Sequence, residues 1–116
     1  MIHIYHNPRC QKSREGLEKV KQSGKEYTVR EYLKEPLSRV ELQNLIKKLD
    51  ISPSKLIRKN EKIWKEQYRG KEYSEDEIID ILVQNPKLIE RPIVEINKKA
   101  VIGRPPERID SILQTK

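Results

Sequence analysis

The sequence predicts a mixed α/β domain: a four-stranded mixed sheet covered by helices, with a helical insertion between the second and third strands. Three observations predict it. The amino-terminal segment places one helix-like run between two strand-like runs. The middle of the chain, about residues 37–85, contains two Ser-x-x-Glu capping boxes, each followed by a helical apolar face. Beyond it, two short strand-like runs flank a turn and lead into a final helix. The order is β-α-β, helices, β-β-α, read as a single domain over residues 1–116 without repeats, linkers or low-complexity tracts.

Each element has a local cause. Ile2 and Ile4 alternate with His3 and Tyr5, so residues 2–6 read as a strand. Leu17 and Val20 stand at helical spacing within 13–22, and Gly24 occupies the place of a helix stop. Tyr27, Val29 and Tyr32 mark 26–32 as the second strand. Two strands joined by one helix should lie parallel with a right-handed crossover. In the insertion, Ser38-Arg39-Val40-Glu41 caps a helix carrying Leu42, Leu45, Ile46 and Leu49 on one face. Ser52-Pro53 begins another helix, with proline in the first turn. A mixed stretch around Trp64 and Tyr68 follows, and Gly70 interrupts it. Ser74-Glu75-Asp76-Glu77 caps a helix containing Ile78, Ile79, Ile81, Leu82 and Val83, which Asn85-Pro86 ends. Strand character returns at Ile93-Val94-Glu95-Ile96. The turn Asn97-Lys98-Lys99 lets Ala100-Val101-Ile102 pair back as a hairpin. Gly103-Arg104-Pro105-Pro106 opens the last helix, with Ile109, Ile112 and Leu113 on one face.

Composition narrows the function classes. Charged residues make up 37% and hydrophobic residues 34%, and the apolar positions are patterned, which specifies a folded domain with a modest core. A single cysteine cannot form an intramolecular disulfide. No amino-terminal run has signal length and no stretch could span a bilayer, so a reducing cytoplasm is the expected compartment and no membrane partner is expected. The net charge of +7 suits anionic small molecules, nucleic acid or an acidic protein. Basic residues are dispersed and no base-stacking motif occurs, so no nucleic-acid partner is expected.

The stretch His6-Asn7-Pro8-Arg9-Cys10-Gln11-Lys12-Ser13 is where chemistry could sit. Cys10 lies at a strand-to-helix junction, where outward-pointing amides and the helix dipole favour an anion and lower a thiol pKa. Arg9 and Lys12 add positive charge. The alternative is a small buried hydrophobe, and the local stretch leaves both readings open. Arg91-Pro92 opens the third strand, because proline cannot donate to a central ladder. It is a candidate cis bond, and the topology would turn Arg91 toward the helix carrying Cys10. Arg104 follows the fourth strand and Arg58 a short insertion helix. Together with Arg91 they would form an oxyanion trap if the fold gathered them, since guanidinium forks bind tetrahedral oxyanions bidentately. Taken singly, each also reads as a solvated surface side chain. His6 reads as a general base, an electrostatic partner or a hydrogen-bonded strand-end residue. Ser13 makes the pattern Cys-x-x-Ser, so no resolving thiol is nearby, and it also reads as a helix cap. A Cys-x5-Arg phosphatase loop is excluded because the corresponding residue is Gly16, and one Cys with two His matches no zinc pattern.

Separated motifs then match a family in order: Tyr5-His6-Asn7-Pro8-Arg9-Cys10 with Ser13-Arg14, Glu31-Tyr32-Leu33, Leu56-Ile57-Arg58-Lys59-Asn60, Glu90-Arg91-Pro92-Ile93-Val94 and Gly103-Arg104-Pro105. The sequence resembles the glutaredoxin-coupled arsenate reductases of the ArsC type, in the thioredoxin superfamily. The resemblance implies a thioredoxin-like fold and Cys10 as nucleophile. It implies arsenate-binding roles for Arg58, Arg91 and Arg104, tuning of the cysteine by His6 and Ser13, and a cis bond before Pro92. It implies reduction of arsenate, or a similar oxyanion, to arsenite, with glutathione as co-substrate, glutaredoxin as partner and no bound cofactor or metal. Two departures are visible: familiar members extend further at the carboxyl end, and Arg9 stands where a small residue can occur. Two other readings share the fold. One is a glutathione-dependent thiol oxidoreductase acting on another substrate. The other is an Spx-type regulator that binds RNA polymerase, although such regulators typically carry Cys-x-x-Cys and lack the arginine that Arg104 supplies here.

Overall fold

In the computed structural model, which describes residues 1–105 and 107–113, the strands are β1 (Ile2–Tyr5), β2 (Tyr27–Arg30), β3 (Ile93–Ile96) and β4 (Lys99–Ile102). The helices are α1 (Gln11–Gln22), α2 (Arg39–Leu49), α3 (Lys62–Gln67), α4 (Glu75–Gln84) and α5 (Glu107–Leu113), with short 3-10 turns at Pro53–Leu56 and Pro86–Leu88. The chain divides into two compact units, one formed by Met1–Glu35 with the chain from Arg91 onward, the other by Pro36–Glu90.

The first unit holds the sheet, in the order β2-β1-β3-β4. β1 and β2 are parallel, as the βαβ reading requires, while β3 runs antiparallel to both β1 and β4. Strand alternation sends Ile2, Ile4, Val94 and Ile96 to one face, where they meet Val20 of α1 and Ile109 and Ile112 of α5. Full burial of each such side chain stabilises the fold by about 1.5–3 kcal/mol. Gly16 is buried in α1, and a Cβ there would stand 2.6 Å from Pro92 Cγ and 2.9 Å from Ile109 Cδ1. A Cβ at Gly103 would likewise meet Ile109 Cδ1 at 2.6 Å. The two glycines let α1, Pro92, β4 and α5 close on one another.

Boundaries shift where local chemistry competes with pattern. α1 begins at Gln11, two residues before the expected start, with Cys10 as its N-cap. β2 stops at Arg30, because Lys34 and Glu35 both donate to the Glu31 carbonyl and turn the chain. Gly24 has φ +73 beyond the end of α1, a conformation open to glycine. The β3–β4 hairpin pairs Ile96 with Lys99, and Asn97 takes φ 55 in the turn. α5 starts at Glu107; Pro106, expected in its opening, lies outside the described residues.

The second unit packs Leu42, Leu45 and Ile46 of α2 and Ile78, Ile79 and Leu82 of α4 among its buried side chains. Both capping boxes form. Ser38 Oγ accepts from the Glu41 amide at 3.1 Å, and the Ser38 amide donates to Glu41 Oε1 at 3.0 Å. Ser74 and Glu77 repeat the pair at 3.2 and 2.9 Å. The helix expected from Ser52-Pro53 is only the 3-10 turn, since the Ile57 backbone leaves helical geometry to bridge Ile89. The stretch around Trp64 and Tyr68 folds as α3 and stacks these rings with centroids 5.8 Å apart.

Candidate active site

Strand register explains how distant residues meet. Tyr5 pairs with Arg30 on one side and Ile93 on the other, and Ile93 pairs with Ile102. The segments that follow β1, β2 and β4, and the one that precedes β3, therefore emerge at one end of the sheet. They carry Cys10, Tyr32, Arg104 and Arg91. The Gly103 amide donates to the Pro92 carbonyl at 2.8 Å, which holds the Arg91 and Arg104 segments side by side. The Arg91-Pro92 bond is cis, as expected; Arg104-Pro105 is also cis, which the sequence reading did not anticipate.

The loop between β1 and α1 is fixed by its own polar groups. The Cys10 amide donates to the Asn7 carbonyl at 3.0 Å, and the Arg9 amide to Asn7 Oδ1 at 3.0 Å. Ser13 Oγ is fully buried. It accepts from the Asn7 amide at 2.9 Å and lies 2.7 Å from His6 Nδ1. Burial lowers the His6 pKa, opposed by the nearby Glu31 carboxylate, so the ring is neutral at pH 7. His6 Nδ1 and Ser13 Oγ share one hydrogen bond, whose direction is set by the tautomer of the ring. Ser13 thus braces the loop through its side chain instead of capping the helix.

Cys10 is half-buried and unpaired with any other sulfur. Burial pushes its thiol pKa upward. The Arg91 hydrogen bond, the Ser13 amide, the Arg91 charge and the Lys12 amide outweigh that and bring it down to about 7. The neutral thiol makes no cap hydrogen bond, so the first-turn amides act on it as oriented dipoles. Arg91 responds in kind: its pKa is lowered by burial but raised on balance by Cys10 and Tyr32. Arg14 donates to the Pro8 carbonyl at 2.9 Å and so ties the first turn of α1 to the loop.

Arg104 is half-buried beside the Arg91 segment. Arg58 belongs to the second unit. There its amide donates to the Leu88 carbonyl at 2.7 Å, and its Nε stands 3.4 Å from Glu61 Oε1. Among the described residues, its buried Nε and Nη1 make no hydrogen bond. No group of three or more His, Cys, Asp or Glu side chains among the described residues could hold a metal ion.

The first unit thus presents a thiol of lowered pKa beside an arginine, an arrangement chemically able to attack an electrophilic oxyanion. The ArsC family model matches residues 5–112, which include every one of these positions. The chain belongs to the ArsC family. An arsenate reductase of Acidiphilium multivorum is 42% identical over 113 residues, spanning 97% of this chain and 80% of that protein. The uncharacterized protein YfgD of Escherichia coli K12 is 45% identical over 114 residues, spanning 97% of this chain and 96% of that one. The solved arsenate reductase from Vibrio cholerae superimposes with a TM-score of 0.91 at 39% identity, covering 96% of each chain. The fold is the thioredoxin-like one of ArsC proteins.

Proposed function

We propose that this ArsC-family chain reduces arsenate to arsenite through a Cys10–arsenic adduct, with glutathione and glutaredoxin as the reducing system. The observation that carries the reading is the Cys10–Arg91 pair. A thiol with a pKa of about 7 is substantially thiolate at neutral pH, and its partner cation is also a donor for an incoming oxyanion. The relatives named arsenate reductase supply the substrate.

In this reading, the Cys10 thiolate attacks arsenic and a protonated arsenate oxygen leaves as water. Arg91 and Arg104 bind the remaining oxygens and offset charge as it shifts. The family resemblance implies that Arg58 shares this ligand. A glutathione thiolate then attacks the Cys10 sulfur. The S–As bonding pair passes to arsenic, which departs as arsenite, and Cys10 remains as a mixed disulfide with glutathione. Two thiols have been oxidised and arsenic has gained two electrons. Ser13 offers no second sulfur, so glutaredoxin removes the glutathione and restores the thiol. His6 and Ser13 hold the loop during this cycle. A free catalytic thiol operates best in a reducing compartment, and no helix among the described residues is long and apolar enough to cross a membrane.

The test is NADPH oxidation coupled through glutathione reductase, with arsenate, glutathione and glutaredoxin each omitted in turn. Activity should require all three and vanish in Cys10→Ser. Turnover without glutaredoxin would remove the proposed reductant. Full turnover by Cys10→Ser would overturn the nucleophile, and no turnover with the complete mixture would overturn arsenate as substrate.

A further inference from the structure

Arg58 is paired with a carboxylate that the chemistry above does not use. Arg58 and Glu61 bracket a turn, in which the Glu61 amide donates to the Arg58 carbonyl at 3.1 Å. The Arg58 end of the turn is anchored. Its amide donates to the Leu88 carbonyl at 2.7 Å, the Glu90 amide donates to the Leu56 carbonyl at 2.8 Å, and Ile57 bridges Ile89. Glu61 occupies the N-cap position of α3, yet its side chain makes no capping hydrogen bond. Its Oε1 instead stands 3.4 Å from Arg58 Nε, and the Arg58 and Glu61 side chains are only 17% and 28% exposed. The neighbouring cations lie further out: Lys59 and Lys62 are exposed, and Lys62 pairs with Glu66 at 3.7 Å.

Charge and hydrogen bonding are separated in this pair. The carboxylate is close enough to offset the guanidinium charge, and partial burial limits screening by salt. Among the described residues, however, the buried Nε and Nη1 of Arg58 make no hydrogen bond. Buried N–H groups gain from a well-aligned acceptor, and a guanidinium fork matches two oxygens of a tetrahedral oxyanion. We infer that Glu61 is the resident counter-ion of Arg58, and that an oxyanion binds there by taking the guanidinium over from it. Glu61 supplies charge without a directed hydrogen bond to Nε, whereas an oxyanion supplies both. The carboxylate thereby sets a ceiling on oxyanion affinity, because binding proceeds against its repulsion and at the expense of the ion pair. The inference rests on the reading given above that Arg58 shares the oxyanion with Cys10.

The experiment measures how sulfate, an unreactive tetrahedral oxyanion, protects Cys10 of the intact chain from iodoacetamide at fixed pH and ionic strength. Glu61→Gln keeps the size of the side chain and removes its charge. It should lower the sulfate concentration for half protection about twofold to fivefold, the range for a single partly exposed ion pair. Glu66→Gln makes the same change of net charge on an exposed side chain and should leave that concentration unchanged. In an Arg58→Ala background, Glu61→Gln should also leave it unchanged. Circular dichroism confirms that each variant is folded; if Glu61→Gln is not, Glu61→Ala provides the same comparison. Unchanged or weaker protection in Glu61→Gln would overturn the inference, as would an equal gain in Glu66→Gln or in the Arg58→Ala background, which marks a general effect of net charge. Sulfate that protects neither wild type nor Glu61→Gln would overturn it as well. Protection of Arg58→Ala equal to that of wild type would instead overturn the shared role of Arg58. No arsenate is involved, so the result is separate from the identity of the substrate.

Discussion

At Cys10, desolvation acts against the charge, while a guanidinium and the first amides of a helix act for it. The charge wins: the thiol pKa is lowered from 9.0 to about 7. Alkylation by iodoacetamide should therefore titrate near pH 7, and Arg91→Ala should move that midpoint upward. The same shift makes stability depend on pH. Between about 7 and 9.0 the unfolded chain still holds the thiol proton and the folded chain has released it, so stability should rise with pH across that window. The contribution is fully present above the unfolded value and lost as pH falls through the folded one. Urea unfolding of wild type against Cys10→Ser should show a gap that opens over this window and then levels. A constant difference would contradict the shift.

At the level of elements, α1 is placed by a residue that weakens it as a helix. Glycine costs about 1 kcal/mol relative to alanine in a helix interior. Gly16 is retained where a Cβ would collide with Pro92 and Ile109. Gly16→Ala should therefore destabilise the protein, by about 1–3 kcal/mol as overpacking does, despite the better propensity. Because Pro92 is bonded to Arg91, the same substitution should also raise the Cys10 alkylation midpoint. A more stable Gly16→Ala variant with unchanged alkylation would refute this packing account. In the second unit, Ser74 starts α4 through a reciprocal cap. Ser74→Ala should cost about 1 kcal/mol in thermal or urea unfolding, the usual value for a lost N-cap.

For the whole molecule, charge and the single thiol set the terms of encounter. A net charge of +7 attracts anions to the surface generally, and Arg91 gives that attraction a direction at Cys10. Iodoacetate and iodoacetamide have similar shape but differ in charge. The ratio of their rates at Cys10 should be high at low ionic strength and fall as salt is added. A ratio independent of salt would exclude electrostatic steering. With one cysteine, oxidised glutathione should yield one mixed disulfide per chain by mass spectrometry, reversible by glutaredoxin with glutathione.

Local chemistry was legible wherever an element has a local cause. Ser38 with Glu41 and Ser74 with Glu77 are caps whose donors and acceptors lie within one turn, so spacing alone specifies them. The alternation of Ile2 and Ile4, and their separation from β2 by one helix, was enough to require a parallel pair. The element order and the candidate residues Cys10, His6, Ser13, Arg91 and Arg104 follow from the same kind of reading. The tertiary structure decided what depends on close approach between distant segments. The local stretch left Cys10 balanced between core filler and nucleophile; its lowered pKa arises only in the folded chain, where Arg91 lies beside it. Gly16 registered in the sequence only as a missing arginine, and its role becomes visible when Pro92 lies against it. Tyr32 belonged to a strand pattern, but the turn at Glu31 ends the strand before it and its ring is buried. Hydrogen-bond caps and hydrophobic periodicity are encoded over three or four residues, whereas a thiol's pKa depends on charges that only the folded chain brings within reach.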